Sequence, residues 1–337
     1  MIAGMQAQSS ARTTLEQPTA ARPSRRRQRG ATACARRFRA LFVAAALTAA
    51  SLTSFAQGSG AQGSAAQSPA SQSGDDVAAL FESTPEEFVV ANAQFVLMHE
   101  LAHLVIDEKA VPILGPEESA ADYIAAMMLI RPRTVPPEGP DALLHVAVST
   151  ADGFALAWRR REQAGAAVPY WDNHSLTVQR FSTLACLLYG SNPTRFAVVL
   201  ERLQMPPARA RACVREYEQA AHAIDWLFDT YARKEGDPPG ASIEVRFERP
   251  PTMTSVRMRD AIERQGFIER TFSFFNEVVA LDEPATFVMR SCRLPQAMWL
   301  PETRELVFCY ELLDAYLAMG LERAEEAKES GLLPPAD

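Results

Sequence analysis

The stretch His99-Glu100-Leu101-Ala102-His103 is the first place where residue types and spacing suggest chemistry. On a helix, side chains four apart share one face, so both imidazoles can ligate a single Zn²⁺. Glu100 sits beside the first of them, where it can reach the metal's water instead of the metal. The flanks, Phe95 to Met98 and Leu104 to Ile106, would bury this helix almost all round. Two histidines and a carboxylate in such surroundings need partners, because burying them alone is costly. Glu118-Ser119-Ala120-Ala121-Asp122 offers them. Glu118 reads as a third ligand, and Asp122, one turn on, as a carboxylate that orients a ligating histidine. Two imidazoles and one carboxylate leave a fourth position for water, which is the pattern of a catalytic zinc site rather than a structural one. Glu100 then reads as the general base for attack on a scissile carbonyl. A second donor to the developing oxyanion is expected, and the candidates are His174, in the polar turn Asp172-Asn173-His174-Ser175, and Tyr310. For His174 a surface or helix-capping role is the alternative; for Tyr310 it is core packing with a bonded hydroxyl.

The elements that must position these residues are mostly helical. Thr84-Pro85-Glu86-Glu87 is a capping box with proline in the first turn, predicting a helix from there toward Asp107. A second helix is expected from Glu117 to about Ile130. Further helices are expected over Asp141–Gln163, Leu176–Tyr189, Arg195–Leu203, Pro207–Arg233 and Met258–Val279, with a last one from about Leu312. Ile243, Val245 and Phe247 alternate with charged residues and predict a strand. Thr286–Cys292 and Glu305–Tyr310 read as two more around a turn at Pro301-Glu302-Thr303.

The chain has 337 residues, 47% hydrophobic and 22% charged, enough for a substantial core. Its formal charge of −7 is unevenly spread. Residues 1–56 hold nine arginines and one glutamate, leaving 25 basic and 40 acidic side chains in the rest. A body this acidic excludes nucleic-acid binding through a broad basic surface. The arginine-rich start, the uncharged Ala40–Ala56 run and Ser54-Phe55-Ala56 read as a signal peptide over 1–56, implying a periplasmic or secreted protein with no stable membrane span after cleavage. Residues 57–74, rich in Gly, Ser, Gln and Ala, read as a flexible linker. The folded body is then expected over 75–235, with a C-terminal region over 241–337. Of five cysteines, Cys34 lies in the leader. Cys186, Cys213, Cys292 and Cys309 remain, an even number that suggests two disulfides in an oxidising compartment. Locality favours Cys186–Cys213 and Cys292–Cys309 among the possible pairings.

HExxH followed by ExxxD resembles the gluzincin branch of zinc metallopeptidases. The stretch from Val96 to Ala126 is similar to a metallopeptidase family of exported bacterial proteins whose domain has no assigned function. The similarity continues through Trp171–Ser175, Gln179–Phe181, Cys186–Gly190, Cys213 with Glu216-Tyr217, Pro295–Ala297 and Cys309–Glu311. The resemblance implies His99, His103 and Glu118 as zinc ligands, Glu100 as base and Asp122 as their support. It implies an α+β fold, predominantly helical, with a zincin-like active-site helix pair and a small antiparallel β element from the C-terminal region. Two features depart from the pattern. Gln296 stands where asparagine is expected, and the hairpin bordering the cleft, Ala297 to Tyr310, follows the HExxH helix instead of preceding it, an order resembling a circular permutation. The expected function is an exported zinc metallopeptidase acting on a peptide or protein substrate. The alternatives are a zinc amidase acting on cell-wall peptides and a non-catalytic, zinc-stabilised envelope binding protein.

Overall fold

A computed structural model describes residues 83–132, 140–203 and 205–329. The expected signal peptide and linker lie outside them. The first helix, α1 (Pro85–Glu108), begins as its capping box requires: Thr84 Oγ1 accepts the Glu87 N–H, and Glu87 Oε2 accepts the Thr84 N–H at 2.8 Å. By length and composition α1 is apolar enough to cross a membrane, but 83% of its most apolar window is buried inside the protein. It is the central rod of the fold. Around it pack α2 (Glu117–Ile130), α3 (Pro140–Gln163) and, from the far end of the chain, α9 (Tyr310–Glu329). The α1–α3 approach is close because position 153 is glycine; a Cβ there would fall 2.3 Å from Asn92 Oδ1. Asn92 is itself buried, and donates to the Phe88 and Ser149 carbonyls.

Helices α4 (Thr177–Ser191), α5 (Ala197–Leu203) and α6 (Pro207–Tyr231) complete the helical part. Disulfide Cys186–Cys213 joins α4 to α6, and Cys292–Cys309 joins the start of the loop after β2 to the end of β4. These are the pairings that sequence locality favours. In the loop-entropy account each contributes about 3 kcal/mol.

A four-stranded sheet follows, built from β1 (Ile243–Phe247), β2 (Ala285–Arg290), β3 (Ala297–Leu300) and β4 (Glu305–Cys309) in the order β1-β2-β4-β3. The sheet is mixed: the expected antiparallel element is the β3–β4 hairpin, and two parallel pairings extend it. β1 pairs parallel with β2, β2 parallel with β4, and only β3–β4 is antiparallel. The parallel β1–β2 pair requires a crossover, and α7 (Met253–Gln265) with α8 (Phe267–Val278) supplies it. These two helices stand where one continuous helix is expected. Gly266 takes φ +58, a left-handed conformation that ends α7 and opens α8. Phe287, Val288 and Met289 of β2 and Leu306, Val307 and Phe308 of β4 are all buried, so the central strands are covered on both faces.

Two ties hold the sheet against α1. Glu108, at the end of α1, accepts the Asp282 N–H at 2.6 Å and pairs with Arg304 in the β3–β4 turn. The loop before β3 is held by Glu311, which accepts from the Cys292 and Arg293 N–H groups, both at 3.0 Å, and from the Ser291 hydroxyl. Burial alone would raise the Glu311 pKa, but these donors outweigh it and hold the carboxyl at about 2. Because the folded value lies below the ordinary 4.5, the contribution is complete above that pH and is lost as pH falls through the folded value. Glu311→Gln is therefore expected to melt below wild type at pH 7, with the two melting temperatures converging as the pH is taken toward 2; a constant gap in calorimetric scans would contradict this.

Candidate metal centre

Helix α2 starts after Gly115-Pro116, with Glu117 and Glu118 in its first turn, where acidic side chains suit the helix dipole. That turn lies over the His99/His103 face of α1. His99 Nε2 and His103 Nε2 are 3.1 Å apart, and Glu118 Oε2 is 3.1 Å from the first and 3.2 Å from the second. A tetrahedral ion with bonds of about 2.0–2.1 Å separates its ligands by about 3.3 Å, so this triangle fits zinc with shifts of only tenths of an ångström.

Each imidazole is held from behind by a carboxylate. His99 Nδ1 lies 2.9 Å from Asp122 Oδ1, a close ion pair that falls short of an in-line hydrogen bond, and this buried nitrogen has no other polar partner. His103 Nδ1 lies 2.8 Å from Glu117 Oε1. With the protons drawn to the Nδ1 atoms, the Nε2 lone pairs face inward. The electrostatics agree. Burial pulls the two imidazole pKa values down, but the carboxylates outweigh it: Asp122 and Glu118 raise His99, and Glu118 and Glu117 raise His103 to about 9. Burial would raise the Glu118 and Asp122 carboxyls, yet the histidines, and for Asp122 also Arg180, hold both well below their ordinary values. Protons and a cation therefore compete for the same nitrogens.

Glu100 is buried and faces the other wall of the site. Its Oε2 accepts the Trp299 N–H of β3 at 2.8 Å. Desolvation raises its pKa, opposed by His99, His103 and the Trp299 N–H. The Trp299 indole Nε1 reaches Asp107 Oδ2 at 3.2 Å, giving β3 a second hold on α1. Gln296 pairs with Cys309 through the Cys309 N–H, so ladder bonds recur at Met298 and Leu300. Ala297 and Trp299 therefore turn their peptide groups to the free edge, as the Trp299–Glu100 bond requires. A cleft of about 850 Å³ opens between that edge and α1–α2, with Glu100, His103, Glu118 and His174 among the residues lining it.

His174 Nε2 lies 2.9 Å from Glu118 Oε2, and its ring stacks on that of His99 with centroids 6.0 Å apart. Asp172 Oδ1 accepts the His174 N–H at 3.0 Å and fixes the turn. The structure thus brings His174 to the cluster. Tyr310 is elsewhere. It is fully buried, its hydroxyl donates to the Glu248 carbonyl at 2.6 Å, and burial pushes its pKa up to about 12. The expectation of an oxyanion donor there is corrected to a core tyrosine with a satisfied hydroxyl. Cys292, Cys309 and Glu311 also come together, but both sulfurs are spent in the disulfide.

Residues 64–227 match the model of a family described as "Putative metallopeptidase" (DUF4344). That segment is similar to this metallopeptidase family. No curated protein and no solved structure matches the chain. The metallopeptidase segment contains both histidines, Glu100, Glu118, Asp122 and His174, and it ends before β1, so the Ala297–Trp299 edge is supplied from beyond it. The match supports peptidase-like chemistry on peptide or protein substrates with a bound metal ion.

Sequence reasoning missed two residues here. Glu117 was hidden beside Glu118, although a pair of acids in a first turn leaves one to face each histidine. Trp299 acts through its peptide nitrogen, for which no side-chain pattern exists. Glu117→Gln is expected to weaken metal binding about tenfold, as loss of an outer carboxylate does elsewhere. Chelator competition measures it, and an unchanged affinity would mean that Glu117 does not orient His103.

Proposed function

We propose that the protein is an exported, zinc-dependent peptidase. The observation carrying this reading is the convergence of His99 Nε2, His103 Nε2 and Glu118 Oε2 beside a buried, peptide-anchored Glu100. His99, His103 and Glu118 would hold the ion. Bound zinc would supply Lewis acidity and a water acidic enough to lose a proton near neutral pH.

The rest falls to the chain's own groups. Glu100 takes up the water's proton at Oε1, the oxygen left free by Trp299, and returns it to the leaving amine. Its raised pKa narrows the gap between the two transfers. His174 Nε2, beside Glu118 and held in its turn by Asp172, donates to the oxygen of the scissile carbonyl. The free edge of β3 offers the Ala297 N–H and C=O and the Trp299 C=O, and an extended peptide adds there as a further strand. Two disulfides support export, since such bonds persist in oxidising compartments.

Glu100→Gln tests this reading. It keeps the neighbouring ligands and the shape of the side chain but removes the proton acceptor. The variant should retain one zinc, measured by elemental analysis, while cleavage of a peptide library falls by about two orders of magnitude or more. Cleavage at the wild-type rate would reject the assignment of Glu100, and a wild-type protein that binds no zinc would reject the reading altogether.

A further inference from the structure

We infer that Arg180 is a positioning residue for the metal centre, acting on His99 through Asp122. The inference rests on the zinc reading above. Arg180 lies in the first turns of α4, and its guanidinium grips Asp122 with two bonds, Nε to Oδ2 at 2.7 Å and Nη2 to Oδ1 at 2.6 Å. Both partners are largely buried, with side chains 16% and 14% exposed. A forked guanidinium sets the plane of a carboxylate as well as its distance, which a lysine ammonium cannot do. The oxygen gripped by Nη2, Oδ1, is also the one 2.9 Å from His99 Nδ1.

The arrangement closes on itself. The Arg180 guanidinium lies 4.3 Å from the centre of the Phe154 ring on α3, Phe154 meets Phe95 edge-on at 5.7 Å, and Phe95 stands one turn before His99 on α1. Four helices therefore meet at one arginine, and the ring ends where it starts, at the first imidazole. The same contact docks the start of α4 on α2, helped by Ser119 Oγ and Ser175 Oγ at 3.2 Å. Ser175 follows His174, so Arg180 also holds the turn that presents His174 to Glu118. This explains why an arginine outside the ligand set is placed on an already compensated carboxylate. Asp122 free to rotate would let the His99 ring turn with it.

The test compares Arg180→Met, Arg180→Lys and Asp122→Ala, alone and combined. Zinc affinity by chelator competition should fall 10- to 100-fold in Arg180→Met, the range for outer partners of a metal histidine. Arg180→Lys should lose part of this, because it keeps the charge without the fork. The visible spectrum of the cobalt-substituted protein should shift in both, reporting altered ligand geometry. The combined Asp122→Ala/Arg180→Met protein should bind zinc no more weakly than Asp122→Ala alone, since Arg180 has nothing left to orient. A merely structural arginine would instead lower the melting temperature of the metal-free protein and add its effect to that of Asp122→Ala. Should Arg180→Met fail to fold, the lysine variant carries the affinity and spectral readings. Wild-type affinity and spectrum in a folded arginine variant overturn the inference while leaving the zinc reading intact; absence of zinc from the wild type overturns the reading beneath it.

Discussion

One imidazole and one carboxylate are buried, and a second imidazole half-buried, on a largely apolar helix, and much of the molecule is arranged around satisfying them. His99 and Glu100 are 4% and 8% exposed, and unpartnered polar groups at such depth would destabilise the fold by amounts comparable with its whole stability. Each has been given a partner from a different part of the chain. Asp122 and Glu118 come from α2 and the Trp299 N–H from β3, while Arg180 of α4 grips Asp122 in turn. The packing of α2 and the sheet on α1, and of α4 on α2, therefore follows polar demand as much as apolar area.

The same constraint explains the division of labour along the chain. The matched segment carries His99, Glu100, His103, Glu118 and His174, while the Ala297–Trp299 wall of the cleft comes from strands beyond it. Bringing that wall to the site takes several anchors. Glu108 holds the β3–β4 turn through Arg304, Glu311 and the Cys292–Cys309 bridge hold the loop ahead of β3, and Asp107 holds the Trp299 indole. An edge strand delivered from 199 residues away in sequence needs such fixing, because its position relative to Glu100 sets the geometry of any proton transfer.

Much of this was legible beforehand. The capping box at Thr84, the restart at Gly115-Pro116 and the alternation at Ile243–Phe247 placed α1, α2 and β1, because caps, prolines and periodicity act over one or two turns. HExxH with Glu118 and Asp122 likewise followed from helix periodicity, which decides what can face a common point. Where local signals were equivocal the reading erred. The Met258–Val279 pattern is helical on both sides of Gly266, and only the left-handed backbone there splits it. The strands read around Thr286–Cys292 and Glu305–Tyr310 pair with each other in parallel, while the antiparallel hairpin is the expected one that begins at Ala297. Tyr310 had a credible chemistry by type, but its hydroxyl found a carbonyl in the core.

What the sequence determined by itself is the set of groups and their order on each helix face: two histidines, a glutamate beside the first of them, and two carboxylates one turn apart. These are consequences of a 3.6-residue repeat and of nothing farther away. Which carboxylate stands behind which imidazole, that Arg180 grips Asp122, and that the peptide nitrogen of Trp299 reaches Glu100 were decided only by the tertiary structure. Such contacts join residues whose separation along the chain carries no periodic signal, and one of them is made by a backbone group that every non-proline residue possesses.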